Sequence, residues 1–220
     1  MANSVGSVKP IVTDGLVFCV DALDIDSYPR SGTDWNDLVS SNNATLTNGP
    51  VHNNNHMTFT EGTDHAVISN LDASDFQGGF TFFCWVRFHS IGTNRIVFGR
   101  HIVNERMYIG INGTDVKLGI GDGFVQSGDA HGMSADRWYN ICVTREGTSN
   151  LYFVDLVQKA STTTNWSGTN STSLHIASMN NNGVSQELDG DVALIQLYNR
   201  ALTTSEKTQN FNAHKSRFGL

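Results

Sequence analysis

The sequence predicts an all-β protein: a two-sheet antiparallel sandwich with one short C-terminal helix. Three observations predict it. Short apolar runs recur along the chain, several alternating with the period of two that lines residues on one face of a strand; residues 15–21, 80–88, 138–145 and 192–198 are the clearest. Between them lie turn formers, 22 Asn, 20 Ser, 20 Thr and 21 Gly among 220 residues, whose side chains or permissive backbones favour tight connections. The one helix signal comes last. Thr203-Thr204-Ser205-Glu206 spells a capping box, in which Thr hydroxyl and Glu carboxylate satisfy each other's free backbone N–H groups.

Charge and cysteine content exclude several function classes. Charged residues make up only 16% and the net charge is −7, with no cluster of Lys or Arg. Nucleic acid and anionic membrane surfaces are therefore not expected partners. No apolar run reaches the length of a membrane span. The N-terminus lacks the apolar stretch of a secretory signal. Cys19, Cys84 and Cys142 each sit inside an apolar strand-like run, and an odd, unclustered set predicts buried thiols rather than a disulfide framework or zinc site.

Taken in order, residues 1–14 read as a small polar arm and residues 15–220 as one domain. Residues 15–21 form the first strand, and the turn-rich stretch to residue 50 follows. Residues 58–60 and 65–69 are short strands. Residues 80–88 are the strongest: Phe80, Phe82, Cys84, Val86 and Phe88 share one face, and Thr81, Phe83, Trp85 and Arg87 the other. Both faces are largely apolar, which predicts a central strand covered on both sides. Asn112-Gly113 provides a hairpin turn between residues 107–111 and 116–120. Residues 138–145 pair with 151–157. The stretch 160–173 is almost wholly Ser, Thr, Asn and Gly, with Trp166 in its midst. Residues 174–178 resume a strand, 180–183 make a turn, and 192–198 are the final strand. The helix covers 204–214, with Phe211 turned toward the sandwich.

Several motifs occur in one order: Trp35-x-Asp37-Leu38 with Thr45-Leu46-Thr47-Asn48-Gly49-Pro50, Phe80-Thr81 with Trp85-Val86, Trp138 leading to Val143-Thr144 and Leu151-Tyr152, Tyr198-Asn199-Arg200-Ala201-Leu202 before the capped helix, and Arg217-Phe218-Gly219. In this order they resemble laminin-G-like domains, the concanavalin A-like jelly rolls, especially those on bacteriophage virion proteins. The resemblance covers about residues 15–219. One departure is clear, since Val154-Asp155-Leu156 replaces the family's Asn-Gly turn and implies a rebuilt loop. The resemblance implies a jelly roll whose function lies in loops and edges. It further implies a non-enzymatic bacteriophage virion surface protein, a capsid decoration or tail-associated adhesin located on the virion. Its partners would be other virion proteins, further copies of itself and a glycan.

The residues themselves offer few chemical constellations. Trp166 in a polar loop is a candidate glycan or partner platform, because an aromatic ring gives large contact area at little entropic loss; folding back as a plug is the other reading. The Asn-rich turns at 53–55 and at Asn180, Asn181 and Asn182 supply amide donors and acceptors for hydroxyls. No cofactor is required, but calcium at a sandwich rim is left open by the resemblance, with Asp21 and Asp189 as candidate ligands. Two other functions stay open: a free-standing calcium-dependent lectin, and a glycan hydrolase using Glu187 and Asp189 as paired carboxylates about 5 Å apart. Against the last, the run Leu188-Asp189-Gly190-Asp191 also reads as a plain turn into the final strand. His52 and His56 have i,i+4 spacing but lie in loop-like surroundings without the Glu of a zinc-protease helix.

Overall fold

Alternation along residues 80–88 becomes the centre of the molecule. In a computed structural model of the chain, which describes residues 10–62, 64–71, 76, 78–100, 106–121, 123–166, 173–179 and 186–220, this run is one of sixteen strands. They are β1 (Leu16–Asp21), β2 (Asp34–Trp35), β3 (Ala44–Thr47), β4 (Val51–His52), β5 (Met57–Phe59), β6 (His65–Ile68), β7 (Gly79–Phe88) and β8 (Asn94–Arg100). After these come β9 (Arg106–Asn112), β10 (Asp115–Gly121), β11 (Gly123–Ala130), β12 (Trp138–Glu146), β13 (Ser149–Val154), β14 (Val157–Thr163), β15 (Leu174–Ile176) and β16 (Gly190–Tyr198). Helix α1 (Thr204–His214) and a 3-10 turn (Lys215–Phe218) end the chain.

Two antiparallel sheets stack face to face. The first has the order β14-β13-β12-β7-β16-β5-β4, with β1 also paired to β16. The second runs β11-β10-β9-β8-β15-β6-β3-β2. The core lies between them, where inward residues of both sheets interdigitate. Phe82 of β7 stacks on Phe98 of β8 across the gap, with centroids 5.0 Å apart. Among the described residues, no helix is long and apolar enough to cross a membrane.

The outer face of β7 builds a second apolar layer. Phe83, Trp85, Cys142, Phe153, Ala193 and Leu194 cluster there, and α1 with its 3-10 turn covers them. Trp85 stacks on Phe218 at 4.2 Å and on Phe211 at 5.3 Å. The predicted capping box starts the helix: Thr203 Oγ1 accepts from the Glu206 N–H at 3.3 Å, and Glu206 Oε2 accepts from the Thr203 N–H at 2.8 Å. The three cysteines are free and buried. Burial pushes the Cys19 and Cys142 thiols up to about 12, so they act as small hydrophobes.

Two segments differ from expectation. The strand expected over 151–157 stops at Val154, because Asp155 and Leu156 both take positive φ, 47° and 66°. Asp155 holds that turn through Asn140: its carboxylate accepts from the Asn140 N–H at 2.8 Å, and its own N–H donates to the Asn140 carbonyl at 2.9 Å. The polar stretch after it is partly strand, not loop. β14 is an edge strand in which Ala160 alone is buried. Polar residues on both faces hide the period of two, while Thr and Ser backbones still complete the ladder.

Candidate functional site

β16 carries the carboxylates that the sequence brought forward, and Gly190 is what lets the strand begin where it does. A Cβ at Gly190 would lie 2.2 Å from the Arg87 carbonyl oxygen, so only glycine permits this approach to β7. The next residue, Asp191, is thereby set opposite Thr58 of β5 and Arg87 of β7.

Four side chains converge on Asp191, whose own side chain is 1% exposed. Thr58 Oγ1 donates to it at 2.6 Å and Arg87 Nε at 2.6 Å. His89 Nε2 stands 3.0 Å from Oδ2, and His56 Nε2 lies 3.6 Å from Oδ1. Burial works against the Asp191 charge, but the bonds from Thr58 and Arg87 and the neighbouring positive charge outweigh it and hold its pKa below the usual carboxylate range. An ionised carboxylate only accepts, so His89 Nε2 carries the proton of that bond. His56 is held below the usual histidine value, by burial first and against the pull of Asp191. Its Nδ1 lies 2.8 Å from Asn55 Oδ1.

From this hub the polar network runs both ways. Toward the second sheet, Asp189 lies 3.6 Å from His89 Nδ1 and accepts from Ser90 Oγ at 3.2 Å. Ser90 Oγ in turn accepts from Arg95 Nε at 3.2 Å and Nη2 at 2.9 Å, and Arg95 forks onto Glu61 at 2.7 and 2.9 Å. Toward the C-terminus, Asp21 is forked by Arg217 at 2.7 and 2.9 Å, and Arg217 Nη2 also donates to the Asn55 carbonyl at 2.5 Å.

Trp138 opens beside this hub. It pairs with Arg87 across the β12–β7 ladder. The Arg87 guanidinium carbon lies 5.3 Å from the indole centroid, within cation–π range. His56 meets the ring edge-on at 5.5 Å, and Phe218 backs it at 4.9 Å. Trp138 is partly exposed. The side chains of Arg87, His89 and Asp189 are 31%, 33% and 29% exposed. The surface thus presents an aromatic ring packed on His56 and Phe218, and a guanidinium and an acceptor carboxylate held by polar contacts. Such a surface suits a ligand with a weakly apolar face and several hydroxyls.

The sequence candidates fare unevenly. Trp166 is corrected from binding platform to core residue: it is 9% exposed, meets Phe80 edge-on at 6.2 Å and lies under the Arg145 guanidinium at 5.7 Å. A ring so enclosed offers no face to a ligand. Asn180, Asn181 and Asn182 lie outside the described residues. Asp21 is paired with Arg217, while Asp189 lies beside His89 and Ser90, and among the described residues no group of three or more His, Cys, Asp or Glu is arranged to hold a metal. Glu187 is buried, with one carboxylate oxygen unpartnered, beside Ile96. Asp189 faces the rim, and the two share no partner. Sequence reasoning missed Trp138, Arg87, His56 and His89 as a set. The available signal was Arg87, a lone charge on the outer face of an apolar strand.

The profile of the concanavalin A-like lectin/glucanases superfamily, in its laminin-G form, matches residues 60–206. The chain belongs to this superfamily. No curated protein matches it. Among solved structures, this concanavalin A-like domain is similar to a Trypanosoma rangeli sialidase in complex with sialic acid, with a TM-score of 0.73 at 15% identity over 96% of this chain and 34% of that one. The same sialidase in complex with 2,3-difluorosialic acid gives 0.73 at 16% identity over 94% and 34%. The binding domain of botulinum neurotoxin serotype D gives 0.66 at 8% identity over 92% and 52%. The chain thus spans about a third of the sialidase chains it matches. At such identity the likeness shows the fold alone. It still corrects the expectation of a non-enzymatic bacteriophage virion protein. The fold is carried by sialidase chains and toxin binding domains, so it gives no ground for excluding an enzyme or for assigning a virion.

Proposed function

We propose that this concanavalin A-like domain recognises carbohydrate at Trp138, with Arg87 and Asp189 as its polar contacts and His56 and His89 as the side chains that position them. The observation that carries the reading is the half-open indole beside a guanidinium whose direction is fixed by the buried Asp191 carboxylate. A sugar ring has an apolar C–H face for the indole. Its hydroxyls donate to Asp189 and accept from the free guanidinium nitrogens of Arg87. Bonds already made to Asp191 reduce the side-chain entropy lost on binding. A sialidase solved with sialic acid and a toxin binding domain of the same fold support the reading.

A glycan array with the full chain identifies the ligand, and calorimetry then measures it. Trp138→Ala is expected to weaken binding about tenfold or more, as removal of a central aromatic contact does. Its circular dichroism should be unchanged. A Trp138→Ala protein that binds its glycan like the parent overturns the assignment. Binding is expected to survive a chelator, because Asp21 is occupied by Arg217 and the Leu23 N–H.

A further inference from the structure

His89 stands just past the end of β7, where the buried and the exposed halves of the Trp138 surface meet. Its backbone N–H donates to the Asp189 carbonyl at 2.8 Å, which ties it to the start of β16. Its ring lies between two carboxylates. Nε2 is 3.0 Å from Asp191 Oδ2, and Nδ1 is 3.6 Å from Asp189 Oδ1.

The two contacts are not alike. Asp191 is held ionised and can only accept, so Nε2 carries the proton. A neutral imidazole has one N–H, which leaves Nδ1 a bare lone pair. A lone pair facing a carboxylate oxygen makes no hydrogen bond, and 3.6 Å is beyond bonding reach. Asp189 Oδ2 accepts from Ser90 Oγ at 3.2 Å, while Oδ1 has no donor among the described residues and stays open to a ligand. Imidazolium has a donor on each nitrogen. The second donor would form opposite Asp189 Oδ1.

Resting on the carbohydrate reading of Trp138, we infer that His89 is an acid-sensitive positioning residue: by taking a proton from solvent on Nδ1 it clamps Asp189 Oδ1 and withdraws that acceptor from the sugar, so that carbohydrate is held near neutrality and released in acid.

The other charges around His89 leave it this role. Arg87 shares Asp191 Oδ2 with it at 2.6 Å, and His56 faces Asp191 Oδ1 at 3.6 Å. Arg95 reaches Asp189 only through Ser90 and is forked by Glu61. Asp136 and Arg137 stand on the loop before β12, where the Asp136 N–H donates to the Phe88 carbonyl at 2.7 Å. His52 is turned onto the Ala22 carbonyl at 2.9 Å. Of these side-chain types only histidine ordinarily changes charge between about pH 5 and 8. Burial holds His56 below the usual histidine value, so its charging comes at lower pH.

The clamp is read first without a ligand, from the ring nitrogens of His89 and the carboxylate carbon of Asp189 in the full chain, between about pH 8 and 5.5. Nδ1 is expected bare at the upper value, and its protonation should move the Asp189 carbon with the same midpoint. A proton on Nδ1 at the upper value, or an Asp189 carbon that ignores the His89 titration, overturns the inference. The full chain is then run on one glycan array at both values. Bound signal is expected to fall about threefold or more in acid, as the weakening of one hydrogen bond does. In His89→Gln, whose amide can donate to Asp191 but does not titrate, the ratio between the two values should approach one. In His56→Gln the fall should persist. A parent whose signal is equal or higher in acid, or a His89→Gln protein that still loses it, overturns the inference. An array without signal at either value overturns the carbohydrate reading instead, and the Asp189 carbon still decides the clamp.

Discussion

Trp166 lies in polar sequence just beyond the end of β14, yet its ring completes the core against Phe80. Local composition sets solubility, but the burial of one ring is decided by what lies under it. Trp166→Ala is therefore expected to cost about 3–5 kcal/mol, the range for deleting a large buried aromatic. Urea unfolding measures it, and a loss below about 1 kcal/mol would return Trp166 to the surface. His175 makes a pH argument at the same scale. It is buried on β15, beside His65 at 5.6 Å, with Nδ1 unpartnered. Burial first, and the His65 charge second, bring its pKa from 6.5 to about 4. The folded state thus binds fewer protons than the unfolded state between those values. Stability is full above pH 6.5, falls as pH drops, and levels off below about 4, with a slope of up to about 1.4 kcal/mol per pH unit. His56 contributes with the same sign. The difference in urea midpoint between pH 7 and 4.5 should shrink in His175→Gln; an unchanged difference refutes the assignment.

Elements differ in how legibly the sequence writes them. β7 was readable because residues 80–88 are almost wholly apolar and β-forming, and its two apolar faces correctly implied cover on both sides. α1 was readable from four residues. Thr203→Ala removes the hydroxyl that holds the Glu206 N–H and should lower stability by about 0.5–2 kcal/mol. A midpoint within error of the parent would show that the tertiary contacts of Phe211 carry the helix alone. β14 was not readable, because an edge strand with polar residues on both faces has no hydrophobic period. The candidate site was half readable. Asp189 and Asp191 stood out by their alternation. That Thr58, Arg87 and His56 meet at Asp191 depends on β16 lying between β5 and β7. Strand order is a property of the whole sheet, and no spacing within one segment encodes it.

At the scale of the molecule, β16 is the strand on which the first sheet depends. Its first residues pair with β5, its length with β7 and its second half with β1. The chain is thus closed on itself: a strand near residue 20 awaits one near residue 195. The same closure is repeated at the surface. Val12 donates its N–H to Asn210 Oδ1 at 2.9 Å and accepts from Tyr198 Oη at 2.9 Å, while Asn210 Nδ2 donates to Tyr198 Oη at 2.8 Å. Residues 10–12 are therefore fastened by β16 and the chain's own helix. Pairings this distant require loop closure before any contact rewards it, so refolding is expected on the millisecond-to-second scale of non-local β proteins. It should also be ordered. The hairpins β9–β10 and β12–β13 need only local closure and can protect their amides early. Among the described residues β1 pairs with no strand but β16, so its amides are expected to gain protection when β16 docks on β7. Pulse-labelled hydrogen exchange during refolding reads this directly. The amides of Phe18 and Val20 are expected to become protected together with those of Ile195 and Leu197, after Ile109 and Leu118. Early protection of β1 ahead of β16 would mean that the first sheet assembles around some other strand.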